Sequence, residues 1–189
     1  MLEIRWHGRG GQGAKTAAQL LGEAAAAAGR YIQAFPEYGP ERSGAPILAF
    51  NRISDRPIRV HANVASPKVV IVLDPTLLGK TNIVEDLPPD GILIVNTSKS
   101  PQAIRKMLGL SIGKVFTIDA NRISLETLGR VMPNTPLMGA LIRATGVVEY
   151  SQFLEKTRSQ LEYKFKSKPE VVEGNMEAIA RAYREVQEG

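Results

Sequence analysis

LEIRWHGRGGQGAKTAAQLLGEAAAAAG, residues 2–29, decides the architecture. Leu2 to His7 reads as a short strand, Gly8-Arg9-Gly10-Gly11-Gln12-Gly13 as a loop, and Ala14 to Ala28 as an unbroken helix. A strand that turns into a helix within a few residues needs backbone angles closed to side chains with a Cβ. Backbone N–H groups, moreover, touch an anion only where no side chain intervenes. Gly8, Gly10 and Gly13 stand at G-x-G-x-x-G spacing, and Gly11 thins the loop further. The helix leaves its first N–H groups unpaired and turns the positive end of its dipole toward the loop, a seat for phosphate that Arg9 and Lys15 make more positive. The spacing alone is a weak signal, equally served by a tight turn without a ligand. Strand before and helix after supply the context it requires.

Working outward, Ala17, Leu20, Leu21, Ala24, Ala25 and Ala28 make one apolar stripe on the helix, Gly29 closes it, and Tyr31 to Phe35 begins a second strand. Residues 1–35 thus read as a compact βαβ unit. A dinucleotide-binding unit asks for an acid at the end of that second strand. Glu37 is near the place but is embedded in FPEYGPERSGAP, a stiff loop that also presents Tyr38, Glu41, Arg42 and Ser43. Long rigid loops at strand ends tend to carry function. ILAFNRI and PIRV, on either side of Ser54-Asp55-Arg56, predict a hairpin where such a unit would have a helix.

From Val69 onward VVIVLD, ILIVN and VFTID are short continuous apolar runs, as in parallel strands covered on both faces. They end at Asp74, Asn96 and Asp119, which should lie on the same sheet edge as Gly8, where ligands of open α/β sheets collect, and which also read as helix caps before Pro75, Pro101 and the segment after Asp119. Thr135 reads as an N-cap with Pro136 at the first helical position, and Gly139, Ala140 and Ala144 as a close-packing face. The last forty or so residues are two amphipathic helices broken at Lys168-Pro169, which complete the domain or clasp a partner. The expected fold is a Rossmann-like, doubly wound α/β domain over residues 1–189. Its sheet is mostly parallel with a β-hairpin excursion, and its helical C-terminus (150–187) belongs to it.

Composition narrows the chemistry. The 189 residues are 43% hydrophobic and 23% charged, ordinary for a globular chain. The absence of cysteine excludes disulfides, thiolate metal ligands, cysteine nucleophiles and iron–sulfur ligation by this chain. His7 and His61 have no second histidine at ligand spacing, so neither a metal site nor a catalytic residue is expected. Net charge is +5, but the basic residues are dispersed, which argues against nucleic acid. No run approaches the roughly 18 apolar residues of a membrane span and no secretory signal opens the chain, so the cytoplasm is the expected location.

EIRWHGRGGQGAKTAAQLL (3–21), QAFPEYGPERSGAP (33–46), AFNRI (49–53) and NTPLMGALIRATG (134–146) together resemble the gamma subunit of the pyruvate and related 2-oxoacid:ferredoxin oxidoreductases, the pyruvate synthases. The resemblance implies a subunit of a complex that converts pyruvate and coenzyme A to acetyl-CoA and CO2 with reduction of ferredoxin, or runs the reverse. It implies alpha, beta and delta-type partner subunits carrying thiamine diphosphate, Mg2+ and iron–sulfur clusters. This chain would then be a non-catalytic member that helps to bind coenzyme A, with Gly8, Arg9, Gly10, Gly11, Gln12 and Gly13 at the phosphates and Arg42 and Ser43 beside them. Alternatives are a gamma subunit for another 2-oxoacid (2-oxoisovalerate or 2-oxoglutarate), a free-standing NAD- or FAD-binding protein, and an assembly scaffold.

Overall fold

Strand β1 (Leu2–Arg9) separates its residues by face: Ile4 and Trp6 are fully buried in the larger of two apolar clusters, while Arg5 and His7 lie on the opposite side. In the computed structural model, which describes residues 1–37, 44–79, 82–111 and 113–189, β1 is the third strand of a seven-stranded sheet ordered β2-β3-β1-β4-β5-β6-β7. The others are β2 (Tyr31–Glu37), β3 (Pro46–Ser54), β4 (Val69–Val72), β5 (Ile92–Asn96), β6 (Lys114–Ile118) and β7 (Gln187–Glu188). β1, β4, β5 and β6 pair in parallel; β3 runs antiparallel between β1 and β2, and β7 antiparallel on β6. Five strands therefore share one direction, which is the doubly wound, mostly parallel sheet with a hairpin excursion that the apolar runs announce.

Six helices occur among the described residues: α1 (Ala14–Ala27), α2 (Pro101–Leu108), α3 (Ala120–Leu128), α4 (Asn134–Thr145), α5 (Tyr150–Lys164) and α6 (Pro169–Glu185). All but α2 contribute to the larger cluster, on the face of Ile4, Trp6 and Ile71. On the other face Ile104 of α2, with Leu77, Ile83 and Leu87, covers Val70, Val72, Leu93 and Val95. Burial on both faces explains why every residue of β4 is apolar. Helix α1 stops where Gly29 takes a positive φ, with the Arg30 N–H bonded to Ala25 O and the Gly29 N–H to Ala26 O. Buried Asn51 ties helix to sheet: its Oδ1 accepts from Trp6 Nε1 at 2.8 Å and its Nδ2 donates to Ala18 O at 2.7 Å. Gly139 lets α4 and α6 approach so closely that a Cβ there would stand 2.3 Å from Ile179 O.

Four local expectations are corrected. The hairpin is formed by β2 and β3, with β1 on the far side of β3, so both edges of β3 are taken and none remains for PIRV. Residues 57–60 form no strand; the segment is held by side chains, Gln33 Nε2 donating to Val60 O and Arg52 to Ala62 O. The βαβ unit skips a position, because β3 fills the slot between β1 and β2. After β4 a single 3-10 turn, Pro75–Leu77, replaces a helix, and Gly79 follows with a positive φ. Helix α4 begins at Asn134 after Pro133, and the Thr135 hydroxyl donates to Asn175 Oδ1 of α6 instead of capping. The short edge strand β7 carries no signal that the sequence reading used.

Candidate functional site

Helix α1 leaves β1 on one face of the sheet, and the segment after β4 packs on the other, so a crevice opens between the carboxyl ends of β1 and β4. The glycine turn forms one wall and Asp74-Pro75-Thr76 the other. Side chains bridge them. Arg9 Nε donates to Asp74 Oδ2 at 2.8 Å, Arg9 also reaches Thr76 Oγ1 and Gly44 O, and Gln12 Nε2 donates to Asp74 Oδ2 at 3.2 Å. Gln12 folds back to accept from the Arg9 backbone N–H at 2.8 Å, while the Gly10 N–H is taken by Ala45 O. Burial pushes the Asp74 carboxyl up. Hydrogen bonds from Thr76 (side chain, then backbone), Gln12 and Arg9 outweigh it and hold the group below its ordinary pKa, hence ionised. Arg9 and Gln12 are therefore braces of the turn, and the positive charge of Arg9 is already matched.

What stays open is backbone. Gly11 is exposed, has a φ of 95° and would place a Cβ with nothing within 4 Å. Gly13 caps α1 in the left-handed region without any side-chain bond, and the N–H groups of Gly13 and Ala14 meet no acceptor among the described residues. Asn134, at the start of α4 and 3% exposed, packs against Gly13; a Cβ on Gly13 would lie 2.8 Å from its side chain. Its Oδ1 is buried and has no partner among the described residues. The arrangement can accept an anion at the amino end of α1, held by main-chain donors and the helix dipole.

The remaining sequence candidates separate by place. Asn96 and Asp119 cap α3, Asn96 Oδ1 accepting from the Ala120 N–H at 3.0 Å and Asp119 Oδ1 from the Arg122 N–H at 2.9 Å. A cleft of about 410 Å³ at the ends of β5 and β6 includes Lys99 and Arg122, but Arg122 is already paired with Glu126 and Glu185. Glu37 ends β2 with the whole of β3 between it and the glycine turn. Arg42 and Ser43, with Tyr38 and Glu41, lie outside the described residues. Among the described residues no group of three His, Asp or Glu side chains could hold a metal ion, and no helix is long and apolar enough to cross a membrane.

A family model described as pyruvate ferredoxin/flavodoxin oxidoreductase matches residues 3–185. The chain belongs to this family. It is 52% identical over 186 residues to the pyruvate synthase subunit PorC of Thermotoga maritima, covering 97% of this chain and 94% of that one. It is 44% identical over 187 residues to the pyruvate/ketoisovalerate oxidoreductases common subunit gamma of Pyrococcus abyssi, covering 99% and 98%. The crystal structure of the T. maritima pyruvate oxidoreductase subunit superposes with a TM-score of 0.87 over 100% of this chain and 98% of that chain, at 49% identity. For this pyruvate ferredoxin/flavodoxin oxidoreductase chain, sequence reasoning found the turn and missed two of its supports. Asp74 was placed on the same sheet edge as Gly8 but read as a helix start, without its bonds to Arg9 and Gln12, and Asn134 as the lead-in to a cap. Both are joined to the turn by folding across long stretches of chain, which local spacing does not register.

Proposed function

We infer that this chain is the gamma subunit of a pyruvate:ferredoxin oxidoreductase, or pyruvate synthase, complex, and that its own part is to hold coenzyme A by its phosphates at the β1–α1 turn. The complex converts pyruvate and coenzyme A to acetyl-CoA and CO2 while reducing ferredoxin. The observation carrying the binding role is the bare, exposed backbone at Gly11 beside the unpaired N–H groups of Gly13 and Ala14. Gly8 and Gly10 shape the turn, and Arg9 and Gln12 lock it to Asp74, so the donors are fixed before a phosphate arrives. Arg42 and Ser43 are proposed neighbours of the bound cofactor. Coenzyme A supplies the thiol that carries the acyl group away; this chain binds and orients, and we assign it no catalytic residue. Thiamine diphosphate, Mg2+ and the iron–sulfur clusters belong in this reading to alpha, beta and delta-type subunits in the cytoplasm, in keeping with a chain that has no cysteine.

We also read residues 1–189 as one domain, since α5 and α6 bury Phe153, Leu161, Val172 and Ile179 in the same cluster as β1 and α1. A dinucleotide role is disfavoured by the position of β2, which sets Glu37 a full strand away from the turn. The P. abyssi relative, named as common to pyruvate and ketoisovalerate enzymes, favours a second reading in which one gamma subunit serves more than one 2-oxoacid.

Gly11→Val in the reconstituted complex tests the binding role, because it adds bulk over the open donors and strains a positive φ. The KM for coenzyme A should rise about tenfold or more, the loss of roughly one charge-assisted hydrogen bond, with the KM for pyruvate unchanged. An unaltered coenzyme A KM removes the assignment. Loss of the complex on size-exclusion chromatography would make the turn an assembly contact instead.

A further inference from the structure

We propose that the groove between α1 and α5 is the docking surface for a carboxylate-rich face of another subunit of the same complex, an inference that rests on the gamma-subunit reading. The groove measures about 580 Å³, and Gln19, Leu20, Lys156, Gln160, Tyr163 and Lys164 line it. Tyr163 is 76% exposed, more than any other large hydrophobic residue among those described. Around it four lysines go unmatched, although Arg158 is paired with Glu173 and Glu162. Lys156, Lys164, Lys166 and Lys168 meet no carboxylate among the described residues, whereas Lys68 and Lys114 pair with Asp90 and Glu188. Lys166 Nζ instead sits over the Tyr163 ring, 4.6 Å from its centroid, and Lys164 Nζ over Phe165 at 5.5 Å.

The imbalance is local. Residues 156–168, KTRSQLEYKFKSK, contain Lys156, Arg158, Lys164, Lys166 and Lys168 against the single acid Glu162, so one short segment holds most of the chain's net charge of +5. Arg158 is neutralised by Glu173 and Glu162, but the four unpaired lysines repel one another, and a partner surface of opposite sign relieves that repulsion and steers its own approach. An acceptor also waits at the groove: Gln160 donates to Glu23 through Nε2, but its Oε1 is buried with no partner among the described residues. A protein face supplies both kinds of group, carboxylates for the lysines and an N–H or O–H for Gln160, with Tyr163 as the anchor. A uniform polyanion fits less well, because Glu23 stands in the wall and Glu155 and Glu162 flank it. The groove begins at Thr16, about a turn of α1 from Gly13, so the docked subunit would stand beside the proposed coenzyme A seat.

The test compares the free full-length chain with the purified complex. Acetylation of Lys156, Lys164 and Lys166 should slow about fivefold or more in the complex as the amines pair and leave solvent. A zero-length carbodiimide should join them to Asp or Glu side chains of another subunit, identified by mass spectrometry. The double variant Lys164→Glu/Lys166→Glu should weaken assembly about tenfold or more, with Lys164→Arg/Lys166→Arg restoring it. Acetylation rates equal in the two samples, or cross-links only to a second copy of this chain, would overturn the proposal. A chain that copurifies with no other subunit overturns the gamma-subunit reading together with it, whereas a failed Gly11 test alone leaves the docking surface standing.

Discussion

His7 lies directly before the glycine turn, 8% exposed, with its Nε2 buried and without a partner among the described residues. Burial, and then the charge of Arg5 two residues earlier on the same face, lower its pKa from 6.5 to about 4. The native imidazole is therefore neutral, and the unfolded chain takes up its proton first as pH falls. Stability from this group is intact above pH 6.5 and is lost between pH 6.5 and about 4, amounting to about 3 kcal/mol at the lower end. Urea denaturation of wild type and His7→Gln should give curves that diverge across that window, the variant being less sensitive to acid. Parallel pH profiles would show that His7 is not buried neutral. From the sequence His7 is only a histidine without ligand spacing; its burial is set by strands that pair with β1 from far along the chain, and no local pattern displays it.

At the scale of elements, what could be read in advance was whatever depends on short-range periodicity. The α1 stripe, the runs of β4, β5 and β6 and the stop at Lys168-Pro169 all appear where apolar spacing and Pro chemistry put them. Gly139 was rightly read as a close-packing residue of α4, and its partner is the backbone of α6. Gly139→Ala should accordingly destabilise the protein by about 2–3 kcal/mol, because the methyl would meet Ile179 O, an atom that cannot swing aside. Thermal denaturation would check it, and an unchanged Tm would mean that α4 and α6 separate more easily than this packing implies. The hairpin was misplaced for a related reason: alternation identifies strands but not their partners, and β3 had three segments that it could have joined.

For the molecule as a whole, one buried core spanning β1, α1, α5 and α6 implies a single unfolding event. Trp6 is the only tryptophan and is fully buried in β1, so its fluorescence reports the sheet while far-UV circular dichroism reports the helices. The two transitions should coincide in denaturant; separate midpoints would divide the chain into two units at the start of α5. The order of segments alone determined a glycine turn between strand and helix, a mostly parallel α/β sheet and a chain without cysteine chemistry, because these follow from spacing and composition within reach of a few residues. Only the tertiary structure decided that β3 lies between β1 and β2, that Arg9 and Gln12 turn inward onto Asp74, that Asn134 closes on Gly13, and that unmatched lysines gather around Tyr163. Each of the first three joins residues distant in the chain, and the last sets a local run of lysines against the groove with α1; pairing across such distances is settled by which faces and edges are left free once the core has formed.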